Sequence, residues 1–271
     1  MVGVVYRARA PMLYYGQEVV PACPPCPIDT EKAETHDTMP TEPDFGLMRE
    51  RMVRDQLIAR DIVDPRVLDA MRTVPRHRFI PQNLHPMAYA DGPLPIGNNQ
   101  TISQPYIVAL MTQMLELSPD DVVLEIGTGS GYQAAILSRL ARAVYSLERY
   151  PELGDRAARR LAELGCDNVE VHIGDGSQGL PDMAPFDAIV VTAAAPAIPG
   201  PLRAQLADGG RLVLPVGDER QQVLQRVRRT GPTWKIENLI PVMFVPLYGR
   251  HGFRPPAAEA GDESLDDDEP L

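Results

Sequence analysis

Between residues 120 and 250 short apolar runs alternate with stretches of helical periodicity. Val122, Val123 and Leu124 are consecutive, apolar and partly β-branched, the pattern of a strand buried on both faces. Residues 132–141 are rich in alanine and leucine and predict a helix. Residues 143–148 predict a second strand. Leu153, Ala157, Leu161 and Leu164 then line one face of a helix that should stop at Gly165. Residues 169–173, 186–192 and 209–217 predict three further strands, with a short helix over 201–206. Residues 223–228, 234–240 and 242–247 read as three more strands. Upstream, Leu47, Met52, Leu57 and Ile58 fall near helical spacing, and Asp64-Pro65 supplies a cap and a first-turn proline for a second helix through Val67, Leu68 and Met71. Strands alternating with helices imply an α/β fold: a Rossmann-like doubly wound sheet, mostly parallel. Ligands of such a sheet sit beyond the carboxyl ends of its strands, where the strand order reverses.

Two stretches break the pattern. Residues 74–81 are irregular, and His77 there, set between Arg76 and Arg78, reads as a solvated loop residue. Residues 86–105 read as a long turn-rich loop, carrying apolar and hydroxyl side chains but few charges. A loop of that length inside a compact domain is usually functional or disordered, and its composition favours function. It leads into an apolar helix over 106–117 and then directly into the 122–124 strand.

Charge separates the ends from the middle. The chain of 271 residues has a net charge of −11. Residues 259–271 hold seven acids and no base, residues 17–44 carry a net −6, and residues 1–16 hold two arginines, which leaves 45–258 neutral. Residues 1–45, rich in proline and acid, are therefore expected to be a disordered N-terminal extension, and 254–271 a disordered acidic tail. Met39, Met48 and Met52 offer alternative starts, so part of the leader is expected to be absent from the natural product. A neutral middle gives no electrostatic reason to expect nucleic acid as a partner. No run approaches the roughly 18 apolar residues of a membrane span. Cys23 and Cys26 form an isolated C-P-P-C without a second pair, and Cys166 stands alone; neither a metal site nor a disulfide framework is expected, and the default compartment is the reducing cytoplasm.

The candidate chemistry begins where the first sheet strand ends, at Glu125-Ile-Gly-Thr-Gly-Ser-Gly131. Glycines at 127, 129 and 131 let the chain turn sharply and leave no Cβ between backbone and ligand. The dinucleotide fingerprint is G-x-G-x-x-G; here an acid lies two residues before the first glycine and no extra residue precedes the last. This form is similar to the first motif of S-adenosylmethionine-dependent methyltransferases. Glu125, Gly127, Thr128, Gly129 and Gly131 are thus candidate cofactor residues. Glu148 ends the next strand, 17 residues past Gly131, where an acid accepts hydrogen bonds from ribose hydroxyls. Asp175 and Gly176, at the end of the 169–173 strand, can face the adenine side. No Ser-His-Asp set or catalytic carboxylate pair is present.

A more specific resemblance follows from Leu94-Pro-Ile-Gly97, Gln100-Thr-Ile-Ser-Gln-Pro105, the glycine turn, Gly174-Asp-Gly176, Val191-Thr-Ala-Ala194, Gly210-Arg-Leu-Val-Leu-Pro-Val-Gly217 and Phe244-Val-Pro-Leu247. From about residue 48 to 250 the chain resembles protein-L-isoaspartate O-methyltransferase. The resemblance implies a methyltransferase domain over 46–253, with helices and a substrate loop in 46–105 and a cofactor-binding core in 106–253. It implies S-adenosylmethionine as donor, S-adenosylhomocysteine as product, and the α-carboxylate of L-isoaspartyl residues in damaged proteins and peptides as acceptor. It carries Ser103 over as the active-site residue, Thr101 and Ile102 as cofactor neighbours, and Gln104 and Val245 as substrate contacts. A plain helix-capping serine is the alternative for Ser103. An α-carboxyl with a pKa of about 3.3–3.7 is ionised at neutral pH, so the reaction needs no general base. One polypeptide with one complete site suggests a monomer. The extensions depart from the family pattern, as does Tyr248, where some relatives carry a smaller hydroxyl residue. Alternative readings of the glycine turn are methylation of a small molecule and a non-catalytic cofactor-binding module; the glycine spacing disfavours a nicotinamide oxidoreductase.

Overall fold

The computed structural model describes residues 44–255, Glu219 excepted. Both cysteines of the C-P-P-C, and the expectations for the extension and the tail, lie outside the described residues apart from their inner ends. At one of those ends Asp44 accepts a hydrogen bond from the Leu47 amide and caps helix α1, Phe45–Met52. The regular structure therefore starts one residue before the expected boundary of the domain.

Helix α1 runs on through a π turn and a 3₁₀ turn to Arg60. Helix α2, Pro65–Thr73, begins as its sequence dictates, with the Asp64 carboxylate accepting from the Arg66 amide and proline in the first turn. The loop expected over 86–105 contains a hairpin instead: β1, Leu94–Gly97, pairs antiparallel with β2, Gln100–Ile102. Asn98 and Asn99 turn the corner at φ 51° and 54°. Two left-handed residues make the tight turn whose twist matches its strands, and asparagine tolerates that conformation. Helix α3, Pro105–Leu115, follows.

The main sheet is built from β3 Val122–Ile126, β4 Ala143–Glu148, β5 Val169–Ile173, β6 Phe186–Val191, β7 Leu206–Gly217, β8 Gln222–Thr230 and β9 Thr233–Val242. Their spatial order is β5-β4-β3-β6-β7-β8-β9. The pairs among β3 to β7 are parallel, and β8 and β9 add an antiparallel edge. Helices α4 Tyr132–Leu137, α5 Pro151–Glu163 and α6 Gly200–Ala204 connect the parallel strands. The chain leaves β3 in one direction for β4 and β5 and returns to its other side for β6 and β7, so the switch point lies at the carboxyl end of β3.

Successive residues of β3 serve opposite faces. Val123 joins a core with Val144, Ala188, Val190 and the buried sides of α1 to α5. Leu124 and Ile126 join a second core with Leu147, Ile189, Val191 and Leu202 of α6. Continuous apolar strands are thus covered on both faces, as a parallel sheet requires. The strand expected over 242–247 does not form. Only Pro246 makes an isolated bridge, to Ala194, and the Gln222 side chain takes both backbone groups of Phe244, at 3.1 and 2.6 Å. Proline has no amide to extend the ladder. Trp234 on the edge strand packs between the guanidinium groups of Arg203 and Arg229, 4.8 and 5.6 Å from its ring centre. His77 is half-buried rather than free in solvent: it stacks on Phe45 at 4.0 Å and shares a 2.8 Å hydrogen bond with the Tyr89 hydroxyl. Burial, aided by His85 and neighbouring arginines, pushes its pKa down to about 4.

Candidate active site

At the carboxyl end of β3 the chain turns through Gly127, Gly129 and Gly131, with φ of 94°, 54° and 89°. A Cβ on Gly127 would stand 2.4 Å from the Thr192 hydroxyl oxygen. That hydroxyl donates to the carbonyls of Gly127, at 2.7 Å, and Ile126, at 3.0 Å. Glycine at 127 is what lets the ends of β3 and β6 touch. Glu148 fixes the other side of the turn. One of its oxygens accepts from the Gly129 amide at 2.7 Å, the other from the amides of Arg149 and Tyr150 at 2.8 and 3.0 Å. The carboxylate thereby joins the ends of β3 and β4.

Above this floor lies a cleft with about 920 Å³ of empty space. Thr101, Ile102 and Ser103 form one wall. Gly127, Thr128, Gly129, Glu148, Gly176 and Val245 also line it, beside Thr192, so nine of the expected site residues meet there. A second cleft shares Thr101, Ser103, Thr192 and Val245 with the first and extends along Gln104, Gln222, Pro241 and Phe244. Ser103 stands where the two meet. It does not cap α3: that position belongs to Gln104, which makes no side-chain capping bond. Gln104 instead donates to Asp91 at 2.7 Å.

Three expected cofactor residues are placed elsewhere. Gly131 starts α4, and a Cβ there would crowd Ala157 and Leu161 of α5 at 3.3 and 3.5 Å; it serves helix packing. Asp175 accepts from the amide and hydroxyl of Ser177 and from the amide of Arg250. These bonds hold its pKa below the ordinary value against its burial, and they tie the segment after Leu247 to the end of β5. Only its neighbour Gly176 lines the cleft. Glu125 is 0 % exposed, because strand alternation turns it under the turn rather than toward the cleft. Ser146 donates to it at 2.5 Å and in turn meets the Thr128 hydroxyl at 2.6 Å. Burial pushes the Glu125 pKa up to about 8, with Glu148 adding to the rise. The folded state therefore keeps a proton that the unfolded chain releases. The stability this supplies is full below the ordinary carboxyl pKa and is lost as pH rises toward 8. Measured by urea unfolding, the stability of Glu125→Gln relative to the parent is expected to rise by on the order of 2–4 kcal/mol between pH 5 and pH 8. A pH-independent difference would show that Glu125 is ionised in the fold.

Sequence reasoning missed Ser130, Gln133, Arg149 and Tyr150, which also line the cleft. Arg149 and Tyr150 follow Glu148 at the same strand end, a placement that could have flagged them. Tyr248 reaches the rim, its ring 5.8 Å from the Arg149 guanidinium.

A family model described as protein-L-isoaspartate(D-aspartate) O-methyltransferase matches residues 48–252. The chain belongs to this family. A protein-L-isoaspartate O-methyltransferase of Roseiflexus sp. (strain RS-1) is 55% identical over 210 residues, covering 78% of this chain and 96% of its own. One from Methanoculleus marisnigri is 58% identical over 207 residues, covering 76% and 94%. A solved Plasmodium falciparum structure bearing the same family name, in complex with S-adenosyl-L-homocysteine, superposes with a TM-score of 0.66 at 26% identity, covering 76% of this chain and 99% of that one. The cofactor of this methyltransferase is S-adenosylmethionine, and the cleft suits it. The floor is glycine backbone, and an acid, Glu148, lines the cleft at the β4 end.

Proposed function

We propose that the two clefts divide the reaction, the glycine-floored cleft holding the methyl donor and the one along Gln104 and Phe244 holding the acceptor peptide, with Ser103 at their junction. The enzyme transfers a methyl group from S-adenosylmethionine to the α-carboxylate of L-isoaspartyl residues in proteins and peptides, the step that initiates their repair. Gly127, Thr128, Gly129 and Gly176 approach the donor closely, Glu148 accepts from its ribose, and Thr101 and Ile102 border it. Glu125, Gly131 and Asp175 act one layer behind, holding the turn, α4 and the 248–253 segment in place. Gln104 and Val245 flank the peptide.

When bound, the cofactor supplies an electrophilic methyl group. The acceptor carboxylate is ionised at neutral pH, so the protein has no proton to remove. Its work is alignment and exclusion of water. The Ser103 hydroxyl donates to one carboxylate oxygen and aims the other at the methyl group. The observation that carries this reading is a serine at the meeting of both clefts that is not consumed as a helix cap. The free, buried Cys166 suits a reducing cytoplasm. Among the described residues no helix is long and apolar enough to cross a membrane.

The test is transfer from labelled S-adenosylmethionine to matched isoaspartyl and aspartyl peptides. Label should enter the isoaspartyl peptide alone. Ser103→Ala should lower kcat by about 10–100-fold, the scale of one lost orienting hydrogen bond to a charged group. Undiminished turnover in that variant would remove Ser103 from the mechanism.

A further inference from the structure

Arg76 is 0 % exposed, and no carboxylate lies within ion-pair reach of it among the described residues. It belongs to the irregular stretch before the hairpin, in a short turn over Arg76–Phe79. Its Nε donates to the Ala88 carbonyl at 2.8 Å and one terminal nitrogen to the Ser103 carbonyl at 2.7 Å. The other terminal nitrogen is buried without a partner among the described residues. The guanidinium lies 5.0 Å from the ring centre of Tyr132, the first residue of α4 and the one that follows the glycine turn. Burial pushes its pKa down to about 10, so it remains a cation at neutral pH.

A buried cation with no carboxylate in ion-pair contact, helped only at longer range by Asp91, and with an orphaned donor is a stability liability, and a well-packed apolar side chain of similar volume is commonly no worse. What an apolar side chain cannot do is hold two carbonyls. Without Arg76, the Ser103 peptide group would hang between two fixtures: the β1–β2 pairing, which ends at Ile102, and Asp91, which holds the Gln104 side chain and the Tyr106 amide at 2.7 and 3.4 Å. Arg76 fastens the one residue between those fixtures. Through Tyr132 it also rests on the helix behind the donor turn.

We infer that Arg76 is a positioning residue for methyl transfer: by gripping the Ser103 carbonyl it fixes the peptide plane that aims the Ser103 hydroxyl, at a set distance from the donor cleft. The inference rests on the role of Ser103 proposed above. Arg76 touches neither substrate, so its loss falls on turnover and leaves donor binding alone.

The experiment compares Arg76→Met, Arg76→Lys, Ser103→Ala and the Arg76→Met/Ser103→Ala double variant. Turnover is measured on an isoaspartyl peptide, binding of S-adenosylhomocysteine by calorimetry. Arg76→Met should lower kcat by about 10–50-fold with KM for the donor and the binding constant changed by less than about 3-fold. Arg76→Lys, whose ammonium can still reach one carbonyl, should recover part of the loss. In the Ser103→Ala background Arg76→Met should cost less than about 3-fold, because coupled residues are not additive. Full turnover in Arg76→Met alongside an impaired Ser103→Ala overturns the positioning role alone. Full turnover in Ser103→Ala sinks the Ser103 reading and this inference with it. A parallel fall in affinity and turnover, or a full additive loss in the double variant, would mark Arg76 as a general structural residue. Should Arg76→Met fail to fold, Arg76→Lys takes its place in the same cycle, with a proportionally smaller loss read against the same outcomes.

Discussion

Gly127→Ala is expected to weaken S-adenosylhomocysteine binding by at least about 100-fold, an effect of about 3 kcal/mol or more. Two penalties combine. The residue sits at φ 94°, where a side chain adds about 1–3 kcal/mol of backbone strain. The new methyl group would also lie 2.4 Å from the Thr192 hydroxyl. Thr192 must then move, giving up the hydroxyl donation it shares between the Ile126 and Gly127 carbonyls, worth about 0.5–1.5 kcal/mol. The floor and the far wall of the donor cleft shift together. Gly209→Ala is the control: its φ is 78°, but nothing lies within 4 Å of the added atom. It should lose stability of the same strain-limited size while binding normally. Calorimetric titration with thermal melts separates the two, and unimpaired binding by Gly127→Ala would refute the close-approach role of the turn.

Glu148→Ala comes next in expected size. The carboxylate takes three backbone amides and is 5 % exposed, so its removal leaves three partly buried donors without that acceptor. Bonds to a charged group contribute about 1.5–3 kcal/mol each, and allowing for relaxation the fold should lose about 2–4 kcal/mol. Donor affinity should fall by about 30–300-fold, since the ribose acceptor goes and Gly129 loses its tether. Glu148→Gln keeps one acceptor oxygen and should recover part of the stability but little of the affinity. A variant that lost stability while binding S-adenosylhomocysteine normally would confine Glu148 to scaffolding.

The order of strands was legible because β-branched runs and helical periodicity are local signals. Residues 143–148 and 169–173 form the expected strands to the residue. What failed depended on partners. Residues 242–247 are apolar enough for a strand, yet whether they pair is decided by Pro246 and by the Gln222 amide from another element. The hairpin at 94–102 was hidden because Asn98-Asn99 is a weaker turn signal than Asn-Gly. Within the site, motif spacing and strand-end placement together with the family resemblance brought nine residues to one cleft, but none of these says which way a side chain points. Alternation along β3 already placed Glu125 opposite its apolar neighbours Leu124 and Ile126, a clue the motif overshadowed. Asp175 read as a ligand contact because its partner, the Arg250 amide, lies 75 residues away. Arg76 left no sequence signal at all: an arginine in an irregular basic stretch gives no hint of complete burial.

Thr101, Ser103, Thr192 and Val245 border both clefts, and beyond those four the two linings differ. On the proposed division of the clefts, a methylated peptide leaving along Gln104 and Phe244 would not have to pass a spent donor seated on the glycine floor, so product release would follow no compulsory order.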